Sequence, residues 1–311
     1  MADYTLRQLE YFVAVAESGS ITGAAARVHL SQSAMSTALA ELERALDVQL
    51  LLRHHARGVT LTAVGEQLLI ASRRLLAQAG ELSSEAHGLG HGLAGTLSIG
   101  CFEVLAPYVL PDLIATCAER HPELRLDTHE VDLDALAEGV LSGRFELGLG
   151  YELAEDTRLV VERVFSLPPY ALLPAGHRLA DRAKIRLAQL ADEPLALLDL
   201  PQSRDYFRSM FAAAGLEPNI RYRSSSVETL RALVGHGLAY TLLNLQSAVA
   251  TSLDGHPVVS LALEGGGTPL EVVLVTAAGS RPTRRAAAVA ALSAEVLRRR
   301  GARIGTSPES A

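Results

Sequence analysis

The sequence predicts two architectures in one chain. An all-α opening is built on a helix–turn–helix pair, a two-lobed α/β body follows, and one long helix joins them. Three observations carry this. Residues 20–46, SITGAAARVHLSQSAMSTALAELERAL, hold two apolar stripes at helical spacing around a short turn. Leu61, Leu68, Leu75 and Leu82 recur every seven residues. Beyond a glycine-rich break at 87–95, HGLGHGLAG, short apolar runs alternate with helical patterns, as in a mostly parallel sheet.

The chain opens on a helix over 6–18. Leu6, Leu9, Phe12, Val13 and Ala16 share a face that covers the next two helices, and Gly19 stops it. Ser20 is the N-cap of the second helix. Ile21, Ala24, Ala25 and Val28 make its apolar face, and His29 and Leu30 form the turn. Ser31 caps a third helix with Met35, Ala38, Leu39, Leu42 and Leu46 inward. Its opposite face carries Gln32, Ser33, Ser36 and Thr37 beside a helix N-terminus with free N–H donors. That end suits phosphate and base-edge contacts in a major groove. Arg53, His54, His55 and Arg57 follow, Gly58 allows a turn, and Val59, Thr60 and Leu61 alternate as a short strand. This reads as a wing that sets Arg53 and Arg57 near phosphates. The paired histidines do not make a metal site: adjacent residues rarely point at one ion, and no Cys or carboxylate completes it.

Leu30-Ser31-Gln32-Ser33-Ala34-Met35-Ser36, with Ala24-Ala25 before it, resembles the DNA-binding segment of LysR-type transcriptional regulators. The match runs on through Leu42-Glu43, Leu46, Arg53, Val59-Thr60-Leu61-Thr62 and Gly65. The resemblance implies an α/β chain with an N-terminal all-α winged helix–turn–helix. A long linker helix would join it to a two-lobed, periplasmic-binding-protein-like effector domain. The expected divisions are a DNA-binding domain over 1–62, a linker and dimerisation helix with hinge over 63–90, and an effector domain over 91–303. The helix over 62–82 would pair two subunits, as a homodimer or homotetramer, on a pseudo-palindromic site in double-stranded DNA. Two features depart from the family pattern. Asp47 stands where a glycine is usual, and Ala63-Val64-Gly65 replaces a small-residue pair.

In the body, strands are expected over 96–100, 124–131, 145–150, 159–165 and 170–173, with helices over 105–119 and 133–142. A second set has strands over 195–198, 221–224, 239–242 and 258–261 and helices over 203–214, 227–234 and 246–251. A returning strand over 271–276 and a closing helix over 283–300 finish it. In such sheets ligands sit beyond the strand C-termini. The candidate effector residues are therefore Cys101 and Phe102 after the first strand, Thr128 at the end of the second, Ser203 as a helix N-cap, and Ser225 and Ser226 before the helix at 227. The serines, with Arg204, Arg221 and Arg223 nearby, suit a carboxylate or another small anion. Phe102 suits an aromatic or apolar ligand instead.

Composition bounds the rest. The 311 residues are 49% hydrophobic and 20% charged, enough for more than one core. A net charge of −7 confines any DNA binding to a local surface. No secretory signal or membrane-length apolar run is present, so the cytoplasm is expected, with no membrane partner. Two cysteines, Cys101 and Cys117, imply no disulfide framework. The last residues, 301–311, are expected to fray. The expected function is a sequence-specific transcription regulator controlled by a small effector. The alternatives are ligand-independent or thiol-redox control, or an enzyme on the same frame. Against an enzyme, the sequence has no Gly-x-Ser-x-Gly elbow, Walker loop or His-Glu-x-x-His, and His177, His236 and His256 are scattered. No cofactor is expected.

Overall fold

The computed structural model describes residues 3–54, 58–87, 93–152, 156–265, 267–279 and 281–304. Helix α1 (Leu6–Ser18) starts in a capping box in which Thr5 and Gln8 satisfy each other's backbone N–H groups. It ends at Gly19 with φ 61°. Helix α2 (Ile21–Arg27) is capped by the Ser20 hydroxyl, which accepts from Gly23 N. Helix α3 (Gln32–Leu46) is capped by Ser31, which accepts from Ala34 N. Leu9, Phe12, Val15, Ala24, Ala25, Met35, Leu39 and Leu42 form their shared core. Leu6, expected on the inner face, is exposed, and the buried stripe shifts to include Ala14 and Val15.

Strands β1 (Leu51–His54) and β2 (Gly58–Leu61) pair antiparallel as the wing. The Glu43 carboxylate of α3 fixes its root by accepting from Leu50 N at 2.8 Å and Leu51 N at 3.1 Å. Helix α4 (Ala63–His87) runs five residues beyond the expected end. Its first half packs Leu68, Leu69 and Leu76 against the three-helix core. Leu75 and Leu82 stand 39% and 69% exposed. The hinge expected over 87–95 lies mostly outside the described residues.

The first lobe holds β3 (Gly95–Phe102), α5 (Ala106–Arg120), β4 (Leu124–Val131), α6 (Leu133–Leu141), β5 (Leu147–Tyr151), β6 (Leu159–Leu167), β13 (Leu270–Ala277) and α9 (Arg284–Ile304). The sheet order is β4-β3-β5-β13-β6. It is mixed rather than mostly parallel, because β13 returns antiparallel to both β5 and β6. Gly100 and Gly148 face each other in register under α6. A Cβ on Gly100 would lie 2.7 Å from Leu136 and 2.4 Å from Phe145, so the glycine admits the helix.

The second lobe holds β7 (Tyr170–Pro174), β8 (Lys184–Ile185), β9 (Leu195–Leu198), α7 (Pro201–Ala213), β10 (Ile220–Ser224), α8 (Val227–Gly235), β11 (Thr241–Leu243) and β12 (Val258–Leu263). Its strands order as β11-β7-β12-β8, with a parallel β10-β9 pair joined to them through a bridge from Leu195 to Tyr240. No helix forms over 246–251. Side chains hold the backbone there in an irregular path: Arg231 donates to the carbonyls of Val249 and Thr251, and Tyr170 donates to that of Leu245 just before it. The chain passes between lobes after Leu167 and again before Leu270. Asn244 donates to Leu167 O at the first crossing and to the Tyr206 hydroxyl, which donates to Thr268 O at the second. Helix α9 continues past Gly301 to Ile304, further than the expected fraying allows.

The two halves touch through α4. Arg73 donates to Ser142 O of the first lobe at 3.1 Å and to Glu17 of α1 at 3.2 Å. Arg285 of α9 reaches Ala77 O.

Candidate functional site

The N-terminal end of α3 is open. Ser31, Gln32, Ser33 and Thr37 are exposed and Ser36 is half-buried. Met35 and Leu39 on the inner side fix which face turns outward. Ser31 is held as the cap, its hydroxyl also 3.0 Å from that of Ser33. Thr37 donates to Ser33 O. The Gln32 side chain makes no hydrogen bond among the described residues, so its amide keeps both a donor and an acceptor free. Arg53 is exposed on β1, opposite Val59. Arg57 and His55 lie outside the described residues. His29, with φ 56°, makes the turn from α2 to α3 in a left-handed conformation usually left to glycine or asparagine.

The cleft between the lobes is nearly shut. Its cavity has a volume of about 20 Å³, room for about one water. Apolar Val104, Leu198, Phe207 and Leu243 line it beside four neutral polar groups, Tyr108, Tyr151, Ser203 and Asn244. Burial raises the phenol pKa of Tyr108 and Tyr151, so both stay neutral. Of the expected effector residues, only Ser203 lines the cavity. It is not a cap: α7 begins at Pro201, and Ser203 is buried within its first turn.

The other expectations fall elsewhere. Cys101 and Phe102 are 0% and 1% exposed, within the first-lobe core, where Phe102 packs edge-on to Tyr151 at 5.3 Å. Neither offers a surface to a ligand. Thr128 sits within β4, which continues to Val131, so it is not at a strand end. Ser226 caps α8 by accepting from Thr229 N, and Ser225 is exposed; neither lines the cavity. Arg204 and Arg223 both face Asp199, which answers their charge outside the cleft.

Burial, with Glu130 adding repulsion, pushes the Cys101 thiol up to about 12. Burial also raises that of Cys117. Neither is a ready thiolate. A far larger open recess, about 1040 Å³, lies between α4 and α6, lined by Arg73, Arg74 and Arg144 together with Glu66, Asp134 and Glu138. Its mixed charges and open shape do not mark it as an effector pocket.

Sequence reasoning missed Tyr108, Tyr151, Tyr206 and Asn244, which come from four separate segments and carry no local pattern. It also treated His236 and His256 as unrelated, although the structure brings them together at Asp254.

Two family models match the chain. The bacterial regulatory helix-turn-helix protein, lysR family, covers residues 6–66, and the LysR substrate binding domain covers residues 90–298. A probable hydrogen peroxide-inducible genes activator of Streptomyces viridosporus is 34% identical, over 77% of this chain and 77% of that protein. The crystal structure of a putative LysR family transcriptional regulator from Pseudomonas aeruginosa is 35% identical, with a TM-score of 0.63 over 94% of this chain and 99% of that one. Full-length CbnR complexed with its target DNA is 25% identical, with a TM-score of 0.55 over 93% of this chain and 99% of that one.

Proposed function

The chain belongs to the LysR family of DNA-binding transcription regulators, and from that premise we propose that α3 reads operator bases under the control of an effector held between the two lobes. The family and these relatives are regulators, not enzymes. The working units in this reading are 1–62, 63–90 and 91–303, acting in the cytoplasm. No helix among the described residues is long and apolar enough to cross a membrane.

One observation carries the reading: the exposed N-terminal end of α3, where the Gln32 side chain is free on the face turned away from buried Met35 and Leu39. A glutamine amide matches the N6 and N7 edge of adenine. Ser33, Ser36 and Thr37 extend that face, and the Ser31 end offers backbone N–H groups to a phosphate. Arg53, and Arg57 beyond it, would hold phosphates without reading sequence. The target DNA in the CbnR complex supports double-stranded DNA as the partner here. The exposed Leu75 and Leu82 on α4 support pairing with a second copy, as a homodimer or as a homotetramer of paired dimers. Two reading helices then favour a pseudo-palindromic site.

For the effector, the cleft lining favours a small neutral molecule with an apolar or aromatic body over a carboxylate. A cavity of about 20 Å³ holds no metabolite, so binding must select a state with the lobes apart. Arg73, bonded to both α1 and the first lobe, is the path by which that change would reach the reading head. Thiol control, suggested by the peroxide-inducible relative, is not favoured by two buried thiols of raised pKa.

The test is selection of bound duplexes from a random pool, followed by titration of the winning site with a Gln32→Ala, Ser33→Ala variant. Affinity should fall by ~1–3 kcal/mol per lost base contact, with the melting temperature unchanged. Equal affinity would remove α3 from the readout.

A further inference from the structure

At the far end of α8 from the cleft, three side chains converge that the regulatory reading does not use. His236 follows the last residue of α8, and Asp254 and His256 lie on the turn that leads into β12. His236 Nε2 is 2.8 Å from Asp254 Oδ2, and His256 Nδ1 is 3.3 Å from Asp254 Oδ1. The two imidazole rings stand 4.1 Å apart, tilted by 39°. All three ligating atoms fall within 4.8 Å of one another. His256 Nδ1 is buried and has no hydrogen-bond partner of acceptable geometry, although the rest of the ring is half-exposed.

The backbone holds this arrangement in place. A Cβ on Gly235 would lie 2.7 Å from His256 Cβ and 2.8 Å from Ser252 Oγ, so the end of α8 can rest on the turn only because residue 235 is glycine. Gly255, with φ 87°, closes the turn, and Gly255 N donates to Ser252 O. The Ser252 hydroxyl donates to Asp254 Oδ1 and fixes the carboxylate's rotation. The Arg231 guanidinium, buried under α8, ties the helix to Val249 O and Thr251 O just before the turn.

We propose that His236, Asp254 and His256 form a site for a divalent transition ion of the zinc type. Two imidazoles and one carboxylate suit an ion of borderline softness. Calcium and magnesium prefer all-oxygen sets. Ions of the zinc type sit ~2.0–2.1 Å from N and O, which spaces neighbouring ligands about 3.3 Å apart in a tetrahedron. The His256–Asp254 separation already matches that spacing, and the shorter His236–Asp254 hydrogen bond, made to the other carboxylate oxygen, has to lengthen to admit an ion. The negative end of α8 adds attraction for a cation at its C-terminus. Side-chain exposure of 40–50% for the three residues leaves a fourth position open to water or to an outside ligand. The ion takes the place of any proton shared between the carboxylate and an imidazole, so binding releases protons and weakens as pH falls. Nine residues of helix, ~13 Å of rise, separate this site from Val227 on the cleft wall. The ion would therefore brace the second lobe without occupying the effector cavity.

The test uses tag-free, full-length protein stripped with a chelator, then dialysed against Zn²⁺ and separately Co²⁺. Wild type should retain one more ion per chain than the His236→Gln, His256→Gln variant. A His129→Gln control should match wild type. Bound Co²⁺ should show visible absorption bands that the double variant lacks. Equal ion content in wild type and double variant, or no retained ion in wild type, overturns the proposal. Zn²⁺-soaked crystals of the unaltered protein give a check that needs no variant. An anomalous peak between His236, Asp254 and His256 supports the site, and its absence with ordered zinc elsewhere refutes it.

Discussion

At the N-terminal end of α3 most of the polar side chains stand in solvent on one helix, and the Gln32 side chain has no partner among the described residues. Between the lobes the polar groups come from separate elements, are buried or half-buried, and in part already satisfy each other, as Asn244 and Tyr206 do. The first region is a surface whose shape does not depend on its readers. The second is part of one continuous core, in which Phe207, Leu198 and Tyr151 are only 2%, 4% and 5% exposed. A ligand meets α3 as it stands, whereas a ligand for the cleft must first displace packing. Affinity for DNA and stability of the fold should therefore separate at the first region and be coupled at the second.

The harshest test of that difference is Phe207→Ala. Removing a ring that is 2% exposed at the cleft wall should cost ~3–5 kcal/mol. For a domain of this size that lowers the melting temperature on the order of 10 °C. The DNA affinity of the folded fraction should stay within a factor of a few of wild type. Calorimetry and a binding titration on the same preparation check both halves. A variant that melts like wild type would mean the cleft is not close-packed, and the contrast with α3 would fail.

Leu75→Asp tests whether the reading head is complete in one chain. Leu75 is 39% exposed on α4, so a charge there should leave the fold of either half intact within about 0.5 kcal/mol, as is usual for surface changes. It should nonetheless lower the sedimentation coefficient and the affinity for a two-half-site duplex together. An unchanged oligomer would move the subunit contact off this stripe.

The same contrast explains what could be read before the structure was known. Ser20, Ser31, Met35 and Leu39 act within one or two helical turns, so spacing and capping chemistry placed them. The strands were found where apolar runs had clear ends, as at β4 and β9. Where long-range contacts decide, the reading failed in specific ways. Residues 246–251 look helical, but Arg231 of α8 takes the carbonyls of Val249 and Thr251, and Tyr170 takes that of Leu245 just before them. Ser203 looks like a cap because it is a serine near a helix start, but Pro201 begins the helix earlier. Cys101 and Phe102 were placed at the right strand, yet which way that strand's end faces is set by Tyr151 and Leu105 packing around it. The histidine pair was invisible because His236 and His256 are joined only through a turn twenty residues on.

The smallest expected effect lies at Asp47 and bears on why α3 is stable enough to be left open. Asp47 ends α3 with φ 53° and ψ 39°, a left-handed cap in which its N–H donates to Arg44 O. A Cβ is strained in that region, although aspartate tolerates it better than most residues. Glycine carries no such strain but gains freedom in the unfolded chain. The first effect should win by a margin of roughly 0.5–1 kcal/mol, because the backbone already sits well inside the left-handed basin. Asp47→Gly should therefore raise the melting temperature of the N-terminal region slightly and leave operator affinity unchanged, since Asp47 is a full helix away from Gln32. If affinity moved instead, the far end of α3 would be coupled to its reading end, and the independence of that surface from the rest of the fold would have to be given up.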